Sequence, residues 1–201
     1  MSTKEISDYF DSTENSEIRL DLSQAIELVA DKKIAIDCGC GAGSDIAFLL
    51  DKGFEVHAFD VESESISRCR ERFKGGSKLT LSKASFNTFS YPSASLIHAD
   101  ASLFYCPPSD FDEVWCKIVN ALEPNGVFVG SFLGPRDTSA SPDYQKDAFW
   151  PDVLVVSEQE LRPRFKDLEI VSWVEHELDG KTAQCVDHHW HIYSVVAKKT
   201  I

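Results

Sequence analysis

The sequence predicts a three-layer α/β fold, with helices on both faces of a doubly wound, mostly parallel sheet that ends in an antiparallel hairpin. Two observations predict this fold. Residues 33–132 alternate short apolar runs with segments of helical periodicity, and two further apolar stretches, 168–174 and 190–197, follow near the end. A length of 201 residues suits one domain with a buried core, so we expect a single domain over 1–201.

The strands of the parallel part are predicted from apolar runs that end at acidic, glycine or proline residues. In chain order they are 33–37, 54–59, 79–82, 94–99 and 127–132. Apolar residues at helical spacing fill three of the gaps, with Ile46 in the first helix, Ile66 in the second and Trp115 in the third. The Pro-Asn-Gly segment at 124–126 is the predicted turn into the fifth strand.

Serine residues mark the predicted starts of three helices. Ser63 is the expected N-cap of the second helix, and Ser109 with Asp112 resembles a capping box ahead of the third. Ser157 with Glu160 is a second capping-box candidate, just before the hairpin.

Two segments are expected to lie outside the sheet and cover it. Residues 1–32 are predicted to form a helical cover, because Leu22 and Ile26 belong to a stripe of apolar residues at helical spacing. Within it, Tyr9 and Phe10 are candidates for a lid, with anchoring of the terminus as the alternative. Residues 134–156 contain three prolines and are predicted to form a long loop over the site.

The charge balance excludes some classes of partner. Lys and Arg number 20 against 33 for Asp and Glu, a net charge of −13, which would repel nucleic acid and anionic membrane surfaces. The polar start has no apolar signal region, and no stretch approaches the roughly 20 apolar residues of a membrane span. We therefore expect a cytoplasmic protein, monomeric or homodimeric, that acts on a small molecule.

The six cysteines are expected to be reduced thiols, and no metal is predicted. Cys38-x-Cys40 has the wrong spacing for a zinc knuckle, and no second pair accompanies it. His188, next to two further histidines, is only a weak metal candidate.

The sharpest signal is a glycine loop after the first predicted strand, followed by an acidic residue at the end of the second. The loop contains Gly39, Gly41 and Gly43 directly after Asp37, and the acid is Asp60. Glycines let the backbone turn off a strand and approach a ligand closely. An acid about 20 residues further on can accept hydrogen bonds from both hydroxyls of a ribose. Together they predict an adenosine-containing cofactor.

Spacing and charge favour S-adenosylmethionine over a dinucleotide. Dinucleotide sites usually place their third glycine after two intervening residues, at a position where this chain has Ser44. An anionic Asp37 would be unfavourable near a pyrophosphate but suits a ligand with sulfonium and ammonium groups. A nicotinamide-dependent oxidoreductase and a non-catalytic module that binds S-adenosylmethionine remain as alternatives.

The segment from Asp37 to Gly43 resembles the first motif of class I S-adenosylmethionine-dependent methyltransferases. The chain also resembles a bacterial branch near the tellurite-resistance methyltransferase group in segments 96–108, 132–137 and 189–191, and the resemblance covers residues 9–199. It implies a Rossmann-like fold and methyl transfer to a small-molecule acceptor, with S-adenosylhomocysteine as product.

The resemblance also implies roles for single residues. The three loop glycines would contact the methionine part of the cofactor and Asp60 the ribose. The family's acid after the third strand, which contacts adenine, is replaced here by 84–87, so Ser85 and Phe86 are nominated instead. The complete predicted cofactor-binding set is Asp37, Gly39, Gly41, Gly43, Asp60, Ser85, Phe86 and Ala99. Arg19 is a candidate for the cofactor carboxylate, with a solvated helix face as the alternative.

Three residues are candidates for catalysis. His189 and His191 alternate to one side of the last predicted strand, while Trp190 and Ile192 face the other, and either histidine is a candidate base. Arg136 follows the fifth strand at the carboxyl edge, where ligands of open α/β sheets bind. The structural alternatives are hydrogen bonding within the strand for the histidines and a surface ion pair for Arg136. The methyl acceptor is not identified by these residues.

Overall fold

Seven strands form one mixed sheet in the computed structural model, which describes residues 3–30, 32–141, 153–182 and 185–200. The strands are β1 Ile34–Cys38, β2 Glu55–Asp60, β3 Leu79–Lys83, β4 Ala94–Ala99, β5 Leu122–Leu133, β6 Leu168–Lys181 and β7 Asp187–Lys199. The helices are α1 Thr3–Thr13, α2 Leu20–Glu27, α3 Ser44–Asp51, α4 Ser63–Arg72, α5 Phe111–Ala121 and α6 Glu158–Leu161. Short 3-10 helices lie at Leu103–Tyr105, Thr138–Ala140 and Arg162–Phe165.

The sheet has the strand order β3-β2-β1-β4-β5-β7-β6. The first five strands run parallel to one another, with Ala35 of β1 opposite Val56 of β2 and Leu96 of β4. β7 runs antiparallel to both β5 and β6. The predicted fold class is therefore confirmed. Because the chain passes from β1 outward to β3 and then returns to β4, the order reverses between β1 and β4.

Two apolar clusters cover the two faces of this sheet. One contains aromatic residues of α5 and β5, including Trp115, Phe128 and Phe132. The other packs Ile46 of α3 and Leu22 of α2, with other helical residues, against the opposite face. All six residues of β4 are buried, as expected for a parallel strand covered on both sides.

Several predicted boundaries differ from the structure. β5 begins at Leu122 rather than at 127, and the segment 124–126 lies within it instead of forming a separate turn. The register with β4 shifts between Ala94 and Leu96, and Asn125 has a φ of 64°, so this segment is a local irregularity of the strand. The hairpin strands are longer than predicted, since antiparallel pairing continues to Lys181 opposite Asp187.

One of the three serine caps is confirmed and two are wrong. The hydroxyl of Ser157 accepts from the Glu160 N–H, and the Glu160 carboxylate accepts from the Ser157 N–H at 2.9 Å. Ser63 is instead the first residue of α4, after Glu62 at the N-cap. Asp110, not Ser109, is the residue that precedes α5, and the hydroxyl of Ser109 donates to the Asp110 carboxylate at 2.8 Å.

The flanking segments are placed partly as predicted. α2 covers the sheet with Leu22 and Ile26, but it is shorter than the predicted apolar stripe. In the long loop, 134–141 contains a 3-10 helix and Val155 forms a parallel bridge with Leu133, while 142–152 lies outside the described residues. Within the described ranges no helix combines the length and the apolar character needed to cross a membrane.

Candidate active site

A cavity of about 1290 Å³ opens at the carboxyl edge of the parallel strands. One part is bounded by the residues that follow β1, β2, β3 and β4, at the point where the strand order reverses. Open α/β sheets bind their ligands at this position. The other part is bounded by the β6–β7 hairpin, through Leu178, Trp190 and Ile192, and by the Thr138–Ala140 turn.

The glycine loop forms the floor of the first part. Gly39 and Gly41 line the cavity, with φ values of 76° and 50° in the left-handed region that glycine tolerates. A Cβ on Gly39 would lie 2.7 Å from the Cβ of Ser102, so this glycine also permits close packing. Gly43 is outside the cavity wall and precedes α3, where a Cβ would lie 2.9 Å from the ring of Phe73. The absence of a side chain at Gly43 therefore allows the start of α3 to pack closely against Phe73.

Asp60 directly contacts the glycine loop. One carboxylate oxygen accepts from the Gly41 N–H at 2.9 Å and the other from the Glu62 N–H at 2.8 Å. Burial raises the pKa of Asp60, and these backbone hydrogen bonds oppose that rise. The loop and the acid therefore lie side by side at the open cavity, as the sequence predicts.

Asp37 lies beneath the loop and is almost fully buried. Its Oδ1 is 3.0 Å from Nδ1 of His98. Burial acts against a charge on His98, but the hydrogen bond with Asp37 and the negative charges of Asp45 and Asp37 outweigh it and raise the pKa of His98 to about 9. The acid that was expected beside the ligand is therefore paired with His98 in the structure. Its Oδ2 has no partner among the described residues.

Residues 84–87 line the cavity beyond β3, where the sequence places the adenine contact. The ring of Phe86 meets the ring of Phe59 edge to face, with centroids 5.3 Å apart, and the hydroxyl of Ser85 is 3.0 Å from that of Thr88. Ala99 is fully buried at the end of β4, outside the cavity wall, because its side chain belongs to the core. Ser102, three residues later, lines the cavity instead, and its buried hydroxyl has no partner in the described part of the chain.

The N-terminal segment supplies the outer wall. Tyr9, Phe10 and Arg19 all line the cavity. Arg19 is paired with Asp100, at 2.6 Å. Burial raises the pKa of Tyr9, and the nearby charge of Asp60 adds to that rise. The interaction of Tyr9 places the segment near Asp60, the acid that ends β2.

The two candidate histidines lie on one side of β7, as predicted, but that side faces away from the cavity. In the register of the hairpin, His189 pairs with Asp179 and His191 with Glu177. Residues opposite each other in an antiparallel pair share a face, so the histidines lie among acidic residues. The other face of β7 presents Trp190 to the cavity.

His191 has a structural role. Its Nδ1 accepts from the Arg136 N–H at 3.0 Å, and its Nε2 lies 2.8 Å from the Glu175 carboxylate, so neither ring nitrogen is available to a substrate. The ring covers Gly134, where a Cβ would lie 2.3 Å from it. His191 therefore fixes the loop that follows β5.

His189 and Arg136 are held by surface ion pairs. Nδ1 of His189 lies 2.7 Å from the Asp179 carboxylate, and the half-exposed Arg136 contacts Glu175 and Glu177 at 2.7 and 2.8 Å. Neither residue lines the cavity. They lie outside the cavity because β7 is placed between β5 and β6, and this placement decides which face of β7 borders the cavity.

Two polar residues of the site were not among the predicted catalytic candidates. His188 lines the cavity with its ring against that of Trp190, at a centroid distance of 3.9 Å. Nε2 of His188 lies 2.9 Å from Oδ1 of Asp137, whose carboxylate is buried. The alternation rule already places His188 on the side of Trp190; the missing information was that this side faces the cavity.

Comparisons with known proteins agree on the kind of domain. Residues 35–126 match a family described as a methyltransferase domain. The probable methyltransferase PMT7 of Arabidopsis thaliana is 30% identical over 117 residues, and the match covers 58% of this chain and 18% of that protein. The chain thus spans only a small part of that relative's length.

Solved structures share the fold over nearly the whole chain. TehB from Haemophilus influenzae has a TM-score of 0.75 at 16% identity, covering 97% of this chain and 67% of its own. The Burkholderia thailandensis 1,6-didemethyltoxoflavin-N1-methyltransferase, with 1,6-didemethyltoxoflavin and S-adenosylhomocysteine bound, has a TM-score of 0.68 at 17% identity, covering 99% and 87% of the two chains. At such identities these likenesses concern the fold.

Proposed function

We propose that the chain is a class I methyltransferase that uses S-adenosylmethionine and transfers the methyl group of that cofactor to a small-molecule acceptor. One observation carries the proposal. The glycine loop and Asp60 contact each other at 2.9 Å beside an open cavity, so a nucleoside can reach both at once.

The residues of the first part of the cavity fit this cofactor. Gly39 and Gly41 offer a backbone cradle for the methionine part, and Asp60 offers a carboxylate to the ribose hydroxyls. The segment 84–87 would adjoin the adenine, with the Phe86 ring as an apolar surface. Two buried polar atoms without partners among the described residues, Oγ of Ser102 and Oδ2 of Asp37, suit the polar groups of an amino acid.

The chemistry asks little of the protein beyond alignment. When bound, S-adenosylmethionine supplies a methyl group on a positively charged sulfur, a carbon already activated for displacement. Holding two reactants in the right geometry can supply most of the rate enhancement of such a step. Phe104, Leu133 and Trp190 give the acceptor side apolar walls, which would help to exclude water once both ligands are bound.

A small acceptor is supported by the size and position of the cavity. The volume of about 1290 Å³ exceeds the upper part of the usual range for a single drug-sized ligand, roughly 1,000 Å³, so a cofactor and a small acceptor fit together. The Burkholderia thailandensis relative binds a small heterocycle alongside S-adenosylhomocysteine. The net charge of −13 argues against nucleic acid as acceptor.

Calorimetry tests the cofactor part of the proposal. We expect saturable binding of S-adenosylmethionine and S-adenosylhomocysteine, and weaker or no binding of NAD. Asp60→Asn should weaken S-adenosylhomocysteine about tenfold to a hundredfold, the loss expected for hydrogen bonds to a charged group. Asp179→Asn, which changes an exposed acid outside the cavity, is the matched control and should bind normally.

A transfer assay tests the catalytic part. Labelled S-adenosylmethionine is offered with a panel of phenols, thiols, amines and small acids, and the label is followed into product. Transfer to any of them supports the proposal. Tighter binding of NAD than of S-adenosylmethionine, or absence of S-adenosylhomocysteine binding, would overturn it.

A further inference from the structure

We propose that His188, oriented by Asp137, is the general base of the reaction, and that the acceptor is an apolar, planar molecule with an acidic hydroxyl group of the phenol type. The proposal rests on the proposed methyl transfer and specifies its acceptor. It stands on the geometry of the hairpin side of the cavity.

The Asp137 carboxylate is a buried hydrogen-bond acceptor that is held in place on the hairpin side of the cavity. Its Oδ1 accepts from the Ser139 N–H at 2.9 Å and lies 2.9 Å from Nε2 of His188. Its Oδ2 accepts from the His191 N–H at 3.1 Å. Because the partners of both oxygens belong to the adjoining turn and to β7, the carboxylate has little freedom to move.

This arrangement sets the tautomer of His188. A carboxylate can only accept, so Nε2 carries the proton and Nδ1 carries the lone pair. Nδ1 has no hydrogen-bond partner among the residues that the structure describes. His188 thus combines a buried orienting carboxylate, a basic nitrogen without a partner and a place in the cavity wall, which are the parts of a general base.

The walls around His188 indicate the shape of the acceptor. The indole of Trp190 lies against the imidazole with a centroid distance of 3.9 Å and an interplanar angle of 34°, and it lines the cavity as well. Ile192, Leu133 and Phe104 continue this apolar surface. A flat, apolar body therefore fits beside the base.

The charges on this side disfavour an ionic acceptor. Lys181 lines the cavity but is paired with Asp187, whose carboxylate lies 2.8 Å from its ammonium group. Arg136 lies on the far face of the hairpin with Glu175 and Glu177. An inorganic oxyanion would need cationic partners, and the described part of this side offers none that is not already paired. A neutral acceptor that loses its proton during the reaction suits the site better.

In the transfer step the acceptor O–H bond breaks as its proton passes to Nδ1 of His188, and an oxygen lone pair forms the new bond to the methyl carbon. The bond between that carbon and sulfur breaks, and its electron pair remains on sulfur, which gives the methyl ether and S-adenosylhomocysteine. The imidazolium then returns its proton to solvent.

A spectroscopic binding experiment tests the proposal without requiring turnover. The full chain is saturated with S-adenosylhomocysteine and titrated with 4-nitrophenol, whose phenolate absorbs visible light while the neutral phenol does not. We expect saturable binding with an enriched phenolate spectrum, since a proton passed to His188 leaves a stabilising ion pair. In His188→Gln the ratio of phenolate to neutral phenol in the bound probe should fall about tenfold at the same pH, the effect of a rise of roughly one unit in the pKa of the probe when its partner is lost.

Two more variants separate catalysis from folding. Asp137→Asn tests the positioning residue and should lower the phenolate fraction while S-adenosylhomocysteine still binds. His189→Gln changes the neighbouring histidine on the far face and should leave both the spectrum and the affinity unchanged.

Each contrary result has a separate meaning. A 4-nitrophenol spectrum that is the same in His188→Gln as in the unchanged chain would overturn the role of His188. Lack of saturable 4-nitrophenol binding to a chain that binds S-adenosylhomocysteine would overturn the acceptor class alone. Failure of the unchanged chain to bind S-adenosylhomocysteine would instead contradict the proposed function.

Discussion

Asp37 and His98 form a buried ion pair beneath the glycine loop, with 3.0 Å between Oδ1 and Nδ1 and side chains that are 3% and 4% exposed. The two residues are 61 positions apart and are joined because β1 and β4 are neighbours in the sheet, in a register that sets Asp37 opposite His98. The pair lies directly beneath the glycine loop, and the opposite charges of its two side chains offset each other.

This pair predicts a loss of stability at alkaline pH. The pKa of His98 is raised from 6.5 to about 9 in the folded chain, so its stabilising contribution is complete below pH 6.5 and is lost as the pH rises through 9. The loss should be on the order of 3 kcal/mol at most. Urea unfolding at several pH values measures it, and His98→Gln should flatten the dependence. An equally steep dependence in that variant would contradict the assignment.

Gly134→Ala should damage both stability and activity. A Cβ at this position would lie 2.3 Å from the His191 ring, so the ring or the loop after β5 must move. We expect a loss of about 1–3 kcal/mol in the free energy of unfolding, as for other overpacked sites, together with weaker methyl transfer. The matched control is Gly180→Ala, where the nearest side-chain atoms of Trp190 lie at 3.7 Å, an ordinary contact. Equal effects of both substitutions would show that His191 does not constrain the loop.

Alanine substitutions at Gly39 and Gly41 should differ in their effect on stability. Both residues have positive φ, so each variant should lose about 1 kcal/mol of stability through backbone strain. Only Gly39→Ala also meets a side chain, the Cβ of Ser102 at 2.7 Å, whereas nothing lies within 4 Å at Gly41. We therefore expect Gly39→Ala to displace Ser102 and to shift the unfolding midpoint further. Chemical unfolding compares the two variants; a larger loss in Gly41→Ala would be inconsistent with this packing.

Two of the serines proposed as helix caps, Ser157 and Ser109, should differ in a stability measurement. Ser157→Ala removes the hydroxyl that accepts from the Glu160 N–H and should cost about 0.5–2 kcal/mol in the free energy of unfolding. Ser109→Ala changes a serine whose hydroxyl donates to Asp110, outside any cap, and should stay within about 0.5 kcal/mol of the parent. Thermal unfolding of the two variants decides the point, and a larger loss for Ser109→Ala would refute it.

Local patterns sufficed for most of the architecture. The segments 94–99 and 54–59 lie in strands within a residue of the predicted bounds, because a parallel strand covered on both faces is rich in apolar residues wherever it lies in the sheet. The glycines at 39 and 41 and the acid at 60 were found for a similar reason. Backbone conformation and short-range spacing restrict which residues can occupy such turns.

The first residues of the helices were harder to predict from sequence patterns than the strands were. Ser63, Ser109 and Ser157 all precede apolar helical stripes, but only Ser157 bonds to the backbone of its helix. At the start of α4 the carboxylate of Asp60 accepts from the Glu62 N–H and so fixes the turn that leads into the helix. Such a contact with a neighbouring part of the site is not visible in a local sequence pattern.

By itself, the sequence determined the alternation of strands and helices, the glycine loop with its acid, and the two-sidedness of the last strand. Only the tertiary structure decided which side of β7 faces the cavity, and so placed His188 at the site and His191 under the loop. It also decided that His98 pairs with Asp37. The physical reason is that periodicity tells which side chains share a face, whereas what that face meets depends on strands brought together from distant parts of the chain.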